Sequence, residues 1–137
     1  MADPESDVLA AISGNVGSWV ENTNLFRGPV RAAMPDSIIP VNAVFVLNTG
    51  GPEPINFARG GSTPQEYEHN IQIVVRGEPD KYGSTRTQAV AIYSYLHDND
   101  PSGYIYLRAT MPAPVYVGTD ERRCDYFVMN FRAGILE

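Results

Sequence analysis

The sequence predicts an α+β fold: a mainly antiparallel sheet of about four strands, with helices packed against it. Three observations carry this expectation. Runs enriched in β-branched and aromatic residues occur at 43–47, 69–77, 104–110 and 124–132, as strands require. Two further segments, one following Asp3 and one ending near Asp98, place apolar residues at helical positions. The resulting order, helix, strand, strand, helix, strand, strand, suits one layered core. The 137 residues fit one domain spanning 1–137, because a single core normally serves about 100–200 residues.

Taken along the chain, Asp3-Pro4-Glu5-Ser6-Asp7 reads as a helix start, with acids at the positive end of the dipole and Val8, Leu9, Ala11 and Ile12 following. Trp19, Val20, Leu25 and Phe26 recur without a clean period, which suits either a second helical turn or a loop anchored by apolar side chains. Pro29 and Pro35 break helices and point to an extended connection that Pro40 ends. Ala43-Val44-Phe45-Val46-Leu47 is short enough for a buried strand, closed by Asn48-Thr49-Gly50-Gly51. Residues 50–66, with four glycines and three prolines between Gly50 and Pro64, read as a long loop or arm.

The stretch from His69 to Gly77 alternates polar and apolar residues, then becomes continuously apolar, as in a strand covered on at least one face. Ser84 or Thr85 can cap the next helix, which carries Ala89, Ile92, Tyr93 and Leu96 to about Asp98. Asp98 to Gly103 is a dense turn signal before the aromatic and aliphatic alternation of Tyr104 to Thr110. Met111-Pro112-Ala113-Pro114 interrupts the ladder, Val115 to Gly118 leads into a charged turn at 119–123, and strand character resumes from Cys124 to Arg132. The final strand can pair with the preceding one.

Composition restricts the function. The sequence is 43% hydrophobic and 19% charged, so it can bury enough apolar surface to offset ordering entropy. A net charge of −6 disfavours binding that tracks phosphates, which needs clustered cations. Lys81 is the only lysine and the other nine bases are arginines, whose planar forks suit ordered ion pairs and interfaces. One cysteine, Cys124, excludes an internal disulfide and any multi-thiolate metal site. An acidic N-terminus and the lack of any apolar run near ~18 residues predict a soluble, intracellular protein with no membrane contact.

No catalytic signature stands out. His69 and His97 are the only histidines and neither belongs to a spaced metal motif. There is no Gly-x-Ser-x-Gly elbow, no Gly-x-Gly-x-x-Gly and no phosphate-loop lysine. No cofactor and no metal are expected. Asp120-Glu121-Arg122-Arg123 reads most simply as a solvated hairpin tip. Seven of the eight tyrosines lie between Tyr82 and Tyr126, and tyrosine serves both strand packing and interfaces.

The run from Ile71 to Gly77, a helix ending in Tyr95-Leu96, Tyr104-Ile105, Pro112, Gly118-Thr119-Asp120-Glu121-Arg122-Arg123 and Asn130-Phe131 together resemble the minor capsid and tail terminator proteins of long-tailed bacteriophages. The likeness follows the element order over 1–137, with its specific matches within 71–131. It implies a small α+β virion protein assembled in the host cytoplasm, forming a homo-oligomeric hexameric ring at the head-proximal end of the tail. The ring's role would be to halt polymerisation of the tail-tube protein and to offer a surface to head-completion proteins, with no bond made or broken. DNA would pass through the lumen without specific binding. Complementary patches are needed for such a ring; Arg76 and Arg122 are candidate donors, Asp120 and Glu121 candidate acceptors, and Arg123 a further candidate interface residue. The loop at 50–66 is a candidate arm for gripping the tube or a neighbour. Three alternatives stand beside this reading. The first is a head-completion or neck connector protein of the same joint. The second is a small-ligand enzyme in which Asp120, Glu121 and His97 converge in a cleft. The third is a monomeric adaptor using its tyrosine-rich face.

Overall fold

The computed structural model describes residues 3–29, 40–52, 55–56 and 65–136. Helix α1 spans Pro4–Asn15. Asp3 caps it through a carboxylate oxygen that accepts from the Ser6 N–H at 3.2 Å, and Glu5 and Asp7 lie in the first turn, where the helix dipole favours negative charge. Val8, Leu9 and Ile12 turn inward and are buried. The next apolar group does not continue as helix. Leu25–Arg27 forms β1, while Trp19, Leu25 and Phe26 bury their side chains and Val20 stays exposed. Arg27 ties β1 back to α1 by pairing with Asp3 and, at 2.6 Å, with Glu5.

Strand β2 is Ala43–Gly50, β3 Ile55–Asn56 and β4 Gln65–Pro79. Helix α2 follows at Tyr82–Asp98, then β5 at Tyr104–Ala109, β6 at Val115–Thr119 and β7 at Cys124–Leu136. The strands form one sheet in the order β1-β2-β4-β7-β5, with β3 pairing β4 and β6 pairing β7. Among the described strands β1 against β2 is parallel, and β2–β4, β3–β4, β4–β7, β5–β7 and β6–β7 are antiparallel.

The α+β class and the antiparallel bias agree with the sequence reading, whereas the strand count does not: seven strands occur among the described residues and the sheet is mixed. The additional strands are β1, β3 and β6, of three, two and five residues. The first two are too short to show a period of two. The third is exposed along almost its whole length and so lacks the alternation that marks a half-buried strand. The two central strands are also longer than expected. Glu66 already faces Leu136, and pairing continues to Arg76 and Tyr126, so mutual pairing extends each beyond its apolar segment. Of the 50–66 arm, residues 53–54 and 57–64 lie outside the described residues, and β3 pairs Ile55 with Glu66 and Asn56 with Gln65. Of the extended connection, 30–39 likewise lie outside.

The start of α2 differs from the capping expectation as well. Lys81 occupies the cap position without a side-chain bond. Thr85 sits one turn inside and donates its hydroxyl to the Lys81 carbonyl at 2.7 Å. Asp80, in a left-handed conformation with φ of 58°, turns the chain from β4 into the helix before either expected cap is reached.

The main core lies between the two helices and one face of the sheet. Val8, Leu9 and Ile12 of α1 and Ala89, Ile92 and Leu96 of α2 pack with Val44, Ile73, Val75 and Met129. Each large aliphatic side chain so buried stabilises the fold by about 1.5–3 kcal/mol. The opposite face carries a smaller cluster in which Phe26 stacks on Phe45 at 5.4 Å, beside Ala43 and Val74. Among the described residues no helix is long and apolar enough to cross a membrane.

Helix α2 approaches β4 closely at Gly77. A Cβ there would stand 1.7 Å from the Thr85 hydroxyl oxygen and 2.7 Å from two of its carbons, so the strand and helix would have to separate. Gly77→Ala is expected to lower stability by about 2 kcal/mol, as overpacking does. Its denaturation midpoint compared with that of Gly83→Ala, where nothing lies within 4 Å of the added Cβ, isolates the packing cost.

Candidate assembly interface

The charged turn predicted at 119–123 joins β6 to β7 as a hairpin. The Asp120 N–H donates to the Cys124 carbonyl at 3.1 Å, and the Arg123 N–H to the Asp120 carbonyl at 2.9 Å. Arg123 completes the loop at φ 63°, where glycine is the usual occupant because a Cβ costs about 1 kcal/mol.

Asp120 organises this turn from within. One carboxylate oxygen accepts the N–H groups of Arg122 and Cys124 at 2.9 and 3.0 Å. The other accepts Arg76 Nε at 2.9 Å and the Tyr126 hydroxyl at 3.1 Å, and a second Arg76 nitrogen lies at 2.9 Å. The Arg76 side chain is 2% exposed and that of Asp120 27%. Arg76 also donates to the Pro40 carbonyl at 2.8 Å and lies 5.9 Å from the centre of the Tyr126 ring. It thus links the β6–β7 turn to the segment entering β2.

Charge states follow from this packing. Burial would raise the Asp120 carboxyl, but hydrogen bonds from Cys124 and Arg76 and the Arg76 charge hold it below the usual aspartate range. Burial works against the Arg76 cation, yet the bond to Asp120 leads the opposing influences and its pKa is raised. Tyr126 is pushed up first by burial and then by its bond to Asp120.

The predicted interface residues therefore divide. Arg76 and Asp120 are brought together inside the subunit. Glu121, Arg122 and Arg123 are exposed at the tip. Arg123 reaches Asp80 at 3.2 Å, with side chains 73% and 60% exposed, a pairing that water screens. Glu121 and Arg122 make no side-chain ion pair among the described residues. His97 lies in the last turn of α2, whose first turn adjoins this loop through the Asp80 N–H bond to the Arg123 carbonyl. Fifteen residues of helix put it roughly 22 Å away along the axis, so Asp120, Glu121 and His97 do not converge.

Beside the turn lies a surface that the sequence reading missed. Among the described residues strand β6 pairs on one side only, with β7, and Val115, Tyr116 and Val117 are 46%, 43% and 57% exposed. Tyr82 at the start of α2 meets Tyr116 edge-on at 5.3 Å, and both rest against Phe127. Sheet edges are normally blunted by charge, proline or cover, and Val115-Tyr116-Val117 carries neither charge nor proline and has no strand over its free edge among the described residues. The β-branched and aromatic run between Pro114 and Gly118 is the signal that could have found it. The other tyrosines mostly serve the fold: the hydroxyls of Tyr93, Tyr104 and Tyr106 donate to Met111, Asp7 and Glu68.

Comparison with known proteins places this geometry in a family. The family described as bacteriophage tail terminator protein matches residues 14–136. Among solved structures, a chain in the virion of a native gene transfer agent particle is similar in fold, with a TM-score of 0.57 at 18% identity, covering 99% of this chain and 87% of that one. No curated protein matches.

Two substitutions separate the roles of the ion pair. Asp120→Asn removes the charge of a carboxylate that faces the buried Arg76 cation and is expected to cost about 3 kcal/mol. Arg76→Met leaves a carboxylate that can rehydrate, and is expected to cost less; denaturant titrations of both variants check the order. Because the folded pKa of Asp120 is depressed, its contribution is complete above the ordinary aspartate pKa of about 3.9 and is lost as pH falls through the lower folded value. The wild-type stability profile should accordingly be steeper than that of Asp120→Asn below about pH 4.

Proposed function

The chain belongs to the bacteriophage tail terminator proteins, structural components of the virion, and from that premise we propose that it acts by assembly alone. Copies form a ring, with six the number implied by the family resemblance, at the head-proximal end of the tail. The ring stops the tail-tube protein from adding further subunits and presents its other side to the head-completion proteins. The chain constitutes one tail-terminator-like unit, with the 50–66 arm available to the tube or a neighbouring copy.

The observation that carries this reading is the exposed β6 strand beside a stiff turn that carries both signs of charge. Apolar strand residues left open at a sheet edge are costly to keep unpartnered, since they also template aggregation. Arg123 adds to this: it occupies a left-handed position at φ 63° and its exposed ion pair returns little stability. Strain retained at a surface turn is a mark of function. Arg76 and Asp120 then contribute to the interface by holding the turn in place, while Glu121, Arg122 and Arg123 face a partner. A net charge of −6 also suits a tube through which DNA slides, because acidic walls do not retain phosphate.

The test adds the purified chain to polymerising tail-tube protein and follows tube length by electron microscopy. Capped tubes of restricted length are expected. Val117→Asp, at a position 57% exposed, should fold normally yet lose capping at least tenfold in effective concentration, equivalent to about 1.4 kcal/mol. Tubes that grow unchanged in the presence of wild-type chain would overturn the terminator role and direct the search to head-completion partners.

A further inference from the structure

The sheet carries a regularity that bears on how the ring proposed above would close. Tyr116 of β6 pairs with Phe127 of β7, Phe127 with Val75 of β4, Val75 with Val44 of β2, and Val44 with Leu25 of β1. These five residues form one row across the sheet. The two margins, β6 and β1, therefore stand at the same level along the strand direction.

The margins differ in chemistry. The β6 margin bears the exposed Val115, Tyr116 and Val117, with Arg122 at the adjoining tip. The β1 margin bears the turn that precedes β1, where Val20 is 55% exposed and Glu21 is exposed without a side-chain ion pair among the described residues. At that turn the outward backbone groups of Leu25 are already used: its N–H donates to the Val20 carbonyl at 3.2 Å and its carbonyl accepts from Asn22 at 2.9 Å. This margin consequently meets a partner through side chains, not by adding a strand.

We propose that neighbouring subunits join head to tail, the β6 margin of one copy against the 20–25 turn of the next, with Val117 and Tyr116 packing toward Val20 and Arg122 facing Glu21. The proposal rests on the ring reading and specifies its contact. A second copy is the occupant because one chain supplies both halves: an apolar strand with a cation, and an apolar turn with an anion. Unlike patches make a heterologous contact, which generates either a closed ring or an open helix. Margins at one level let the two patches meet without a shift along the strands, and the contact closes into a ring when no translation along the rotation axis accumulates from copy to copy.

Cysteine crosslinking tests this contact. Val20→Cys, Val117→Cys and the double variant are exposed substitutions, whereas the native Cys124 is buried. Each is assembled on tail-tube protein and oxidised. The double variant is expected to yield a ladder of covalent oligomers ending at the ring number, and each single variant no crosslink. A covalent dimer from Val117→Cys alone would show that like margins meet, and would overturn the proposal. Arg122→Glu and Glu21→Arg should each weaken assembly at least tenfold, and their combination should restore it. Rings that form without the ladder and without this rescue would sink the contact while leaving the ring intact. If wild-type chain forms no ring on the tube at all, the functional reading fails with it.

Discussion

Pairing between β4 and β7 is the constraint from which the remaining structure follows. These are the longest strands, and they run antiparallel from Glu66 opposite Leu136 to Arg76 opposite Tyr126. Much of the pair is flanked on both sides, with β2 along Asn70–Arg76 of β4 and with β6 and β5 sharing the far side of β7. One face of this ladder supplies Ile71, Ile73, Val75, Phe127, Met129 and Phe131 to the helices. A shift of one residue in its register would turn that apolar set to the wrong side. The helices are thus held by the ladder, and the close approach of α2 at Gly77 sets its packing distance.

The second face has a different economy. Val74 and Phe45 continue an apolar cluster, but in the next row β4 places Arg76 beside Ala43 and Tyr126. A guanidinium 2% exposed is costly unless its donors are satisfied, and Asp120 and Pro40 provide acceptors. Such a pair adds little net stability compared with a well-packed apolar alternative. It supplies direction, since a charged fork that engages a carboxylate leaves few arrangements for the turn that carries it. Asp120 meets this demand with both oxygens and at the same time fixes the backbone of Arg122 and Cys124. The turn is stiff because its buried end is electrostatic.

That stiffness bears on β6. A five-residue strand paired on one side among the described residues and exposed on nearly every residue has little core contact of its own to hold its position. It is fixed at one end by the hairpin and along its length by β7, while Tyr116 hydrogen-bonds to Thr119 and Asp125. A surface pre-organised in this way loses less entropy on association than a loose one, which suits the assembly role proposed above.

The sequence by itself determined the α+β class, the N-terminal helix, α2 and the apolar centres of four strands, because these depend on local composition and period: β-branched runs at 43–47 and 71–75, and Ala89, Ile92 and Leu96 at helical spacing. The motif around 118–123 likewise carried the family likeness. Only the tertiary structure decided what those charged residues do. Arg76 and Asp120 are 44 residues apart in sequence, and nothing local says that one will be enclosed and paired with the other while Arg122 stays in water. The parallel pairing of β1, the full lengths of β4 and β7, and the exposure of β6 were also decided there. Each depends on which strand lies alongside, and pairing between distant segments is a property of the assembled sheet, to which no single window of sequence has access.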